Sequence, residues 1–445
     1  MATTRQPRAR GGVPRPGAPT RVPFPVVDEV ARHCAQDAEP NTVHIEIHLP
    51  GRVDESRLRS AFSEALARHP RALMRERPGS PLARRYEWEL TRGPDADPVS
   101  FPPSAPGALD RARARALDEA PPLTASPPLR LAVVEEPGTE GCVLLFTVHH
   151  TALDGPACMR LAATTAEVYG AHRVPPAPAP ARPARPASGP LAGESPAAPL
   201  ARPARIAAGS PGPAPVPGNA MLLVELPVPR RESGAPYTVN DQLMVATALT
   251  VADWNRAQGA PGADRRPLRI TMPVDDRTRG PEMPIGNGTR LVEVGFAGSE
   301  LVPGADIPAL LRATAERTRA LKARPRPPLG RSASLLTAPL LPVAARAALT
   351  RGLRVLAGPW TSTTLLSNIG RVPYPLDFGE AGRATAVWFS APARMPRGLT
   401  FTTASTGGRL HLALRWSRTL LGDEDGVRLR ELFTRHLAST SSETV

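Results

Sequence analysis

Lysine is almost missing from this 445-residue chain: of 55 basic side chains, only Lys322 is a lysine. Aromatic residues are also scarce, at 4%. The formal net charge of +14 suggests nucleic-acid binding, but these shortages argue against it. Nucleic-acid modules interleave basic stripes with stacking aromatics, and no segment here does so. The excess reads as arginine bias plus basic low-complexity segments, part of which can steer an acidic partner or a phosphorylated cofactor toward a cleft. Cysteine is rare as well. Cys34, Cys142 and Cys158 are odd in number and form no CxxC pair, which points to reduced thiols serving as small core residues. No apolar run approaches the ~20 residues of a membrane-spanning helix, and no signal peptide opens the chain. The expectation is a cytoplasmic protein without a membrane span.

Proline (56) and glycine (36) are abundant and clustered. Residues 1–20 have almost no aliphatic side chains and read as a disordered arm, and residues 441–445 read as a disordered tail. Residues 174–218, rich in Pro and Ala, read as a semi-rigid polyproline II spacer. Two blocks remain: an N-terminal lobe over 21–173 and a C-terminal lobe over 219–440.

Both blocks mix strands and helices. "NTVHIEIHLPG" alternates apolar and polar residues as a half-buried strand does. The following helix is capped by Asp54 and stopped by Pro70. "CVLLFTVHH" is apolar on both faces and predicts a central strand, with a helix after Gly155. In the second block, "TVNDQLMVATALTVADWNRAQG" predicts a helix opening at Thr238 or Asn240 and ending at Gly259. Strands are expected at "PLRITMPVDD" and "GTRLVEVGF", and an antiparallel meander near the C-terminus. The fold class is α+β (mixed α/β).

The chemistry concentrates in "VLLFTVHHTALDG", residues 143–155. Adjacent strand residues point to opposite faces, so His149 and His150 do not readily share a metal ion, and no further ligand stands at suitable spacing. Strand-end histidines with one hydrogen-bonded in the core, or a proton-transfer site, remain as readings. The buried strand, Asp154 and Gly155 favour the second, with Gly155 suiting a positive-φ turn and a buried Asp154 requiring a cation.

"HHTALDG" resembles the HHxxxDG signature of the superfamily that holds nonribosomal peptide synthetase condensation domains, chloramphenicol acetyltransferase-like enzymes and polyketide-associated acyltransferases. "LPGRVDESRLRSAFSEALARHPRAL", "TVNDQLMVATALTVADWN", "MPVDDRTR" with "IGNGTRLV", and "LLSNIGRVP" are similar to other segments of that superfamily, in order. The resemblance implies two chloramphenicol-acetyltransferase-like lobes forming a pseudo-dimer around a central tunnel. His150 would face the tunnel as the base, and His149 would be structural. Asp154 would pair with Arg277 rather than react. Amides near Gly155, or the side chains of Ser367 and Asn368, would contact the oxyanion or substrate.

The implied reaction moves an acyl group from a thioester to a hydroxyl or amine, forming an ester or amide in natural-product or lipid biosynthesis. The donor would be an acyl-CoA or an acyl group on a carrier protein. The phosphopantetheine thioester would thus be substrate, with no tightly bound cofactor and no metal, and the protein would act as a monomer. Without a G-x-S-x-G elbow or a plausible cysteine nucleophile, direct transfer is favoured. The rival reading is a catalytically inactive condensation-like platform recruiting a carrier protein. "LDFGEAG" (376–382) is read as a surface turn, His33 as an incidental surface histidine, and Arg279 and Arg290 as solvated strand-end charges.

Overall fold

A computed structural model of the chain describes residues 20–36, 38–171, 201–210, 217–277, 283–323 and 336–441. The terminal arm up to residue 19, the tail from 442, Arg279 and most of the proposed spacer lie outside the described residues. The N-terminal half runs β1 (Thr20–Pro23), α1 (Val26–His33), β2 (Thr42–Leu49), α2 (Glu55–Arg68), β3 (Met74–Glu76) and β4 (Glu87–Leu90). It continues through β5 (Val99–Ser100), α3 (Ala108–Asp118), β6 (Leu129–Val134), β7 (Cys142–His149) and α4 (Gly155–Tyr169). The C-terminal half runs β8 (Asn219–Pro227), α5 (Val239–Ala257), β9 (Leu268–Asp275), β10 (Thr289–Phe296), α6 (Ile307–Ala323) and α7 (Val343–Ala357). It ends with β11 (Thr364–Arg371), β12 (Ala386–Ser390), β13 (Leu399–Thr406), β14 (Arg409–Ser417) and α8 (Asp423–Ser439).

A five-stranded sheet in the order β12-β2-β7-β6-β5 forms the first lobe, and a six-stranded sheet in the order β10-β9-β11-β13-β14-β8 forms the second. A small β1-β4-β3 sheet flanks the first. β7 is the central strand and is buried along its whole length, as its unbroken apolar run requires. Helices α2 and α4 pack on one another, with Leu58, Phe62, Leu66 and Leu161 all but fully buried. Each such side chain contributes about 1.5–3 kcal/mol relative to leaving it in water. Helix α5 opens with a capping box between Thr238 and Asp241, and Gly259 follows its end with φ +63°.

Several expectations are corrected. The C-terminal strands are not a simple meander, because β12 leaves its neighbours and pairs antiparallel with β2 of the other lobe. Its alternation explains this: Val387 lies opposite Ile47 and Phe389 opposite Ile45, completing the first lobe's core. β11 in turn pairs parallel with both β9 and β13. The lobes are therefore interlocked, and the boundary over 174–218 does not divide the packing. "LDFGEAG" is not a surface turn: Leu376, Phe378 and Ala381 are buried, and the Ala381 carbonyl accepts the Gly51 N–H at 3.0 Å.

His33 is not at the surface either. It is 1% exposed, with Nδ1 3.3 Å from the Thr350 hydroxyl across the α1–α7 contact. Arg290 is buried, donating to Asp276 at 2.6 Å and to the Lys322 carbonyl at 2.9 Å, which two-sided anchoring removes it from solvent. Cys142 and Cys158 are core residues, whereas Cys34 reaches a cavity.

The last part of the supposed spacer is anchored to the second lobe. Ala204 and Ile206 are buried in its core. Asn255 holds the Arg205 carbonyl and the Ala207 N–H at 2.8 Å each, and the Trp254 indole donates to the Ala207 carbonyl at 2.9 Å. Ile206→Ala should therefore cost about 2–4 kcal/mol in urea unfolding. A loss below about 0.5 kcal/mol, the range of ordinary surface substitutions, would show that this segment is a free tether after all.

Candidate active site

The motif sits where β7 ends and α4 begins. The first turn of α4 is built by Asp154, whose Oδ1 accepts the Ala157 N–H at 3.0 Å in a standard N-cap. Asp154 is only 2% exposed and takes three further hydrogen bonds from the second lobe. Arg277 Nη2 donates to Oδ1 at 2.9 Å and Oδ2 at 2.7 Å, and the Gly288 N–H donates to Oδ2 at 2.9 Å. The rest of the Arg277 guanidinium is occupied: Nε by Asp275 at 2.9 Å, Nη1 by the Pro284 and Gly286 carbonyls at 3.2 and 3.1 Å. Burial depresses the Arg277 pKa, but the Asp154 and Asp275 carboxylates outweigh it, leaving the pKa above its ordinary value. Gly288 has no room for a side chain, since a Cβ would lie 2.6 Å from Arg277 Nε.

The two histidines separate. His149 is buried, and its Nδ1 accepts the Thr151 N–H at 3.2 Å. Burial first, then the charges of His150, Arg32 and Arg394, lower its pKa to about 3. His150 lines a cavity of about 330 Å³ between the lobes, whereas His149 does not. Its backbone N–H is fixed to the carbonyl of Asn41, the residue just before β2, at 2.8 Å. Its Nδ1 lies 3.3 Å from the Leu153 carbonyl. A carbonyl only accepts, so Nδ1 carries the proton and Nε2 is the lone-pair nitrogen. Burial lowers the His150 pKa while Asp154 partly opposes it, so the ring is neutral near pH 7.

Ser367 and Asn368 of β11 also line this cavity. Asn368 serves the backbone more than the cavity: its Oδ1 accepts from the Gly370 N–H and the Thr403 hydroxyl at 2.9 and 3.1 Å, and its Nδ2 donates to Asn240 at 3.3 Å. These bonds hold a bulge at 368–370, which Gly370 completes at φ +77°. Gly155 has no positive φ. Its part is spatial, since a Cβ would touch Phe389 at 3.5 Å on the cavity wall. Among the first amides of α4, Ala157 and Cys158 donate to Asp154 and Pro156 has none, which leaves Gly155 N–H.

Sequence reasoning missed Asn287, quoted only as part of a Gly-Asn segment. Its Nδ2 bridges the Thr151 carbonyl at 2.8 Å and Asp28 Oδ1 at 2.9 Å, tying the motif loop to α1. Asp28 is buried, and desolvation raises its pKa to about 6 despite donors from Asn287 and Trp88. Nothing local in "VVDEVARH" marks Asp28 as buried. Among the described residues no group of three or more His, Cys, Asp or Glu side chains is placed to hold a metal.

No protein-family model matches the chain. The Mycobacterium tuberculosis protein Rv2305 (strain H37Rv) is 32% identical over 424 residues, covering 88% of this chain and 93% of its own. Among solved structures, the TRI3 trichothecene 15-O-acetyltransferase of Fusarium sporotrichioides superposes with a TM-score of 0.63 at 12% identity, over 97% of both chains. The first condensation domain of the CDA synthetase gives a TM-score of 0.59 at 16% identity, over 95% of this chain and 97% of its own. At these identities the likeness is one of fold.

Two predictions follow from the geometry. In a double-mutant cycle, Asp154→Ala alone should cost about 3–5 kcal/mol, because it strands Arg277. Adding Arg277→Ala should cost far less than its single effect; strict additivity would rule out the pair. The second concerns acid. His33 and His69 (each lowered to about 4) and His149 (about 3) are held neutral in the folded state, chiefly by burial. The unfolded chain binds these protons from about pH 6.5 downward, so stability should fall as pH drops from 6.5 toward 4. Equal urea midpoints at pH 7 and pH 5 would contradict this.

Proposed function

This chain belongs to the family of mycobacterial Rv2305 and has the fold of condensation domains and of an acetyltransferase, and from that premise we propose that it is an acyltransferase of the superfamily uniting them, moving an acyl group from a thioester to a hydroxyl or amine. The observation that carries this reading is His150: a neutral imidazole with Nε2 free to accept, at the wall of an inter-lobe cavity. His150 takes the acceptor's proton as its oxygen or nitrogen attacks the thioester carbonyl. The C–S bond then breaks, and the imidazolium returns the proton to the departing thiolate. Such a base contributes roughly 10²–10⁴-fold. Holding both reactants in one cavity contributes as well, up to about 7–11 kcal/mol in favourable intramolecular cases.

Gly155 N–H and the Ser367 hydroxyl are the donors assigned to the developing oxyanion. Asn368 is a positioning residue, because its amide is committed to the β11 bulge. Asp154 and Arg277 hold the loop that carries His150 and take no proton. Cys158 is no nucleophile, since burial pushes its thiol pKa far up. The donor is a phosphopantetheine thioester, on coenzyme A or on a carrier protein. The product is an ester or amide of natural-product or lipid type.

His150→Ala should leave the melting temperature within a few degrees of the parent and reduce turnover of acyl thioesters by about 10²–10⁴-fold. Unchanged turnover in a folded His150→Ala protein would dismiss the proposal.

A further inference from the structure

Several interior arginines among the described residues are paired with carboxylates: Arg277 with Asp154 and Asp275, Arg346 with Glu29, Arg113 with Glu46, Arg160 with Glu167. Arg415, fully buried without a carboxylate, commits all three nitrogens to Asn219 and Thr42. Arg394 and Arg397 follow neither pattern. Both lie on the segment between β12 and β13, and both line the cavity that holds His150. Arg397 donates from Nε to the Ser362 hydroxyl at 2.7 Å and from Nη2 to Thr271 at 3.3 Å. Arg394 reaches only the Cys34 carbonyl through Nη2, and its buried Nε has no partner among the described residues.

Neither guanidinium has a carboxylate at ion-pair distance among the described residues. Glu39, whose oxygens accept the Met395 N–H, and Glu293 supply only longer-range attraction. Burial, opposed by those carboxylates and reinforced by neighbouring arginines such as Arg354, lowers both arginine pKa values. Unspent guanidinium donors at a mostly apolar cavity, with Val30, Val43, Leu291, Leu365 and Phe389 on its walls, describe half of an ion pair.

We propose that Arg394 and Arg397 form an oxyanion-binding subsite of the cavity, which takes the carboxylate or phosphate of a ligand with an apolar body. Assigning that ligand to an acyl-transfer reaction rests on the function proposed above; the binding itself does not.

Hexanoate and hexanamide are matched probes for calorimetry on the full chain. The wild type should bind hexanoate about tenfold or more tightly than hexanamide, the strength of one or two charge-assisted hydrogen bonds. Arg394→Gln and Arg397→Gln should each reduce that preference, and together abolish it, while hexanamide binding stays constant as a check on the cavity. The single variants carry the test if the double one does not fold. Coenzyme A distinguishes the sources: displacement of hexanoate assigns the subsite to the pantetheine phosphate, and simultaneous binding assigns it to a substrate's own carboxylate. No acid-over-amide preference in the wild type, or a preference that survives both substitutions, overturns the subsite. His150→Ala should keep the preference, so a failure of acyl transfer and a failure of anion binding give different results.

Discussion

Asp154 gathers four hydrogen bonds from three residues, one from its own helix and three from the opposite lobe, at a place almost closed to water. Removing two charges from water is expensive, so such a pair is a poor source of net stability. What it supplies is position. Arg277 is itself held by Asp275 and two backbone carbonyls, so the guanidinium arrives already oriented. The loop between β7 and α4 is thereby pinned from the second lobe, and His150, four residues before Asp154, is pinned with it. Gly288 matters for the same reason, because any side chain there would displace the guanidinium.

From this anchor the two histidines acquire opposite environments. His149 ends β7 with its ring in the core, and His150, the first residue of the turn that follows, has its ring at the cavity. Each ring is then fixed by a different backbone group: Thr151 N–H donates to one, and the Leu153 carbonyl accepts from the other. The same burial that keeps His150 neutral also weakens it as a base, and the nearby Asp154 carboxylate moderates that loss. Arg394 works in the other direction, since its positive charge disfavours an imidazolium at His150.

Much of the fold was legible because period and punctuation are local properties. β7, α2, α4 and α5 follow from an apolar run, helical spacing and caps such as Asp54 and Thr238; alternation located β2, but not as the half-buried strand it suggests, because His44 and Glu46 are fully buried. What escaped has its buried face made of polar groups. α1 buries Asp28, Glu29 and His33, and α7 buries Arg346 and Thr350, so neither shows a full apolar stripe. The pairing of β12 with β2 was equally hidden, because alternation shows that a strand has an inner face and not which sheet it joins. Residues 201–210 have the composition of a spacer, yet Ile206 and Ala204 dock. At the site, Asp154 and Arg277 are 123 residues apart and came together on paper only through a resemblance; composition and spacing do not connect them. Arg394 and Arg397 were concealed by abundance, since an arginine without a carboxylate partner looks like every other arginine in a chain so rich in them.

The interlocking of the halves constrains how the cavity beside His150 could open. Two lobes joined by a free tether could part about a hinge, and relative motion is the usual expectation for a modest interface. Here separation would have to strip β12 from β2 along its whole length and break the Asp154–Arg277 contact. It would also withdraw Arg415 of the second lobe from the Thr42 carbonyl and hydroxyl of the first, at 2.8 and 3.0 Å, leaving a buried guanidinium with Asn219 as its one remaining acceptor among the described residues. Each of these losses falls on a buried polar group and is costly. Parting the lobes is therefore a costly way to open the cavity, and the contacts that join them hold the walls on either side of His150 in place.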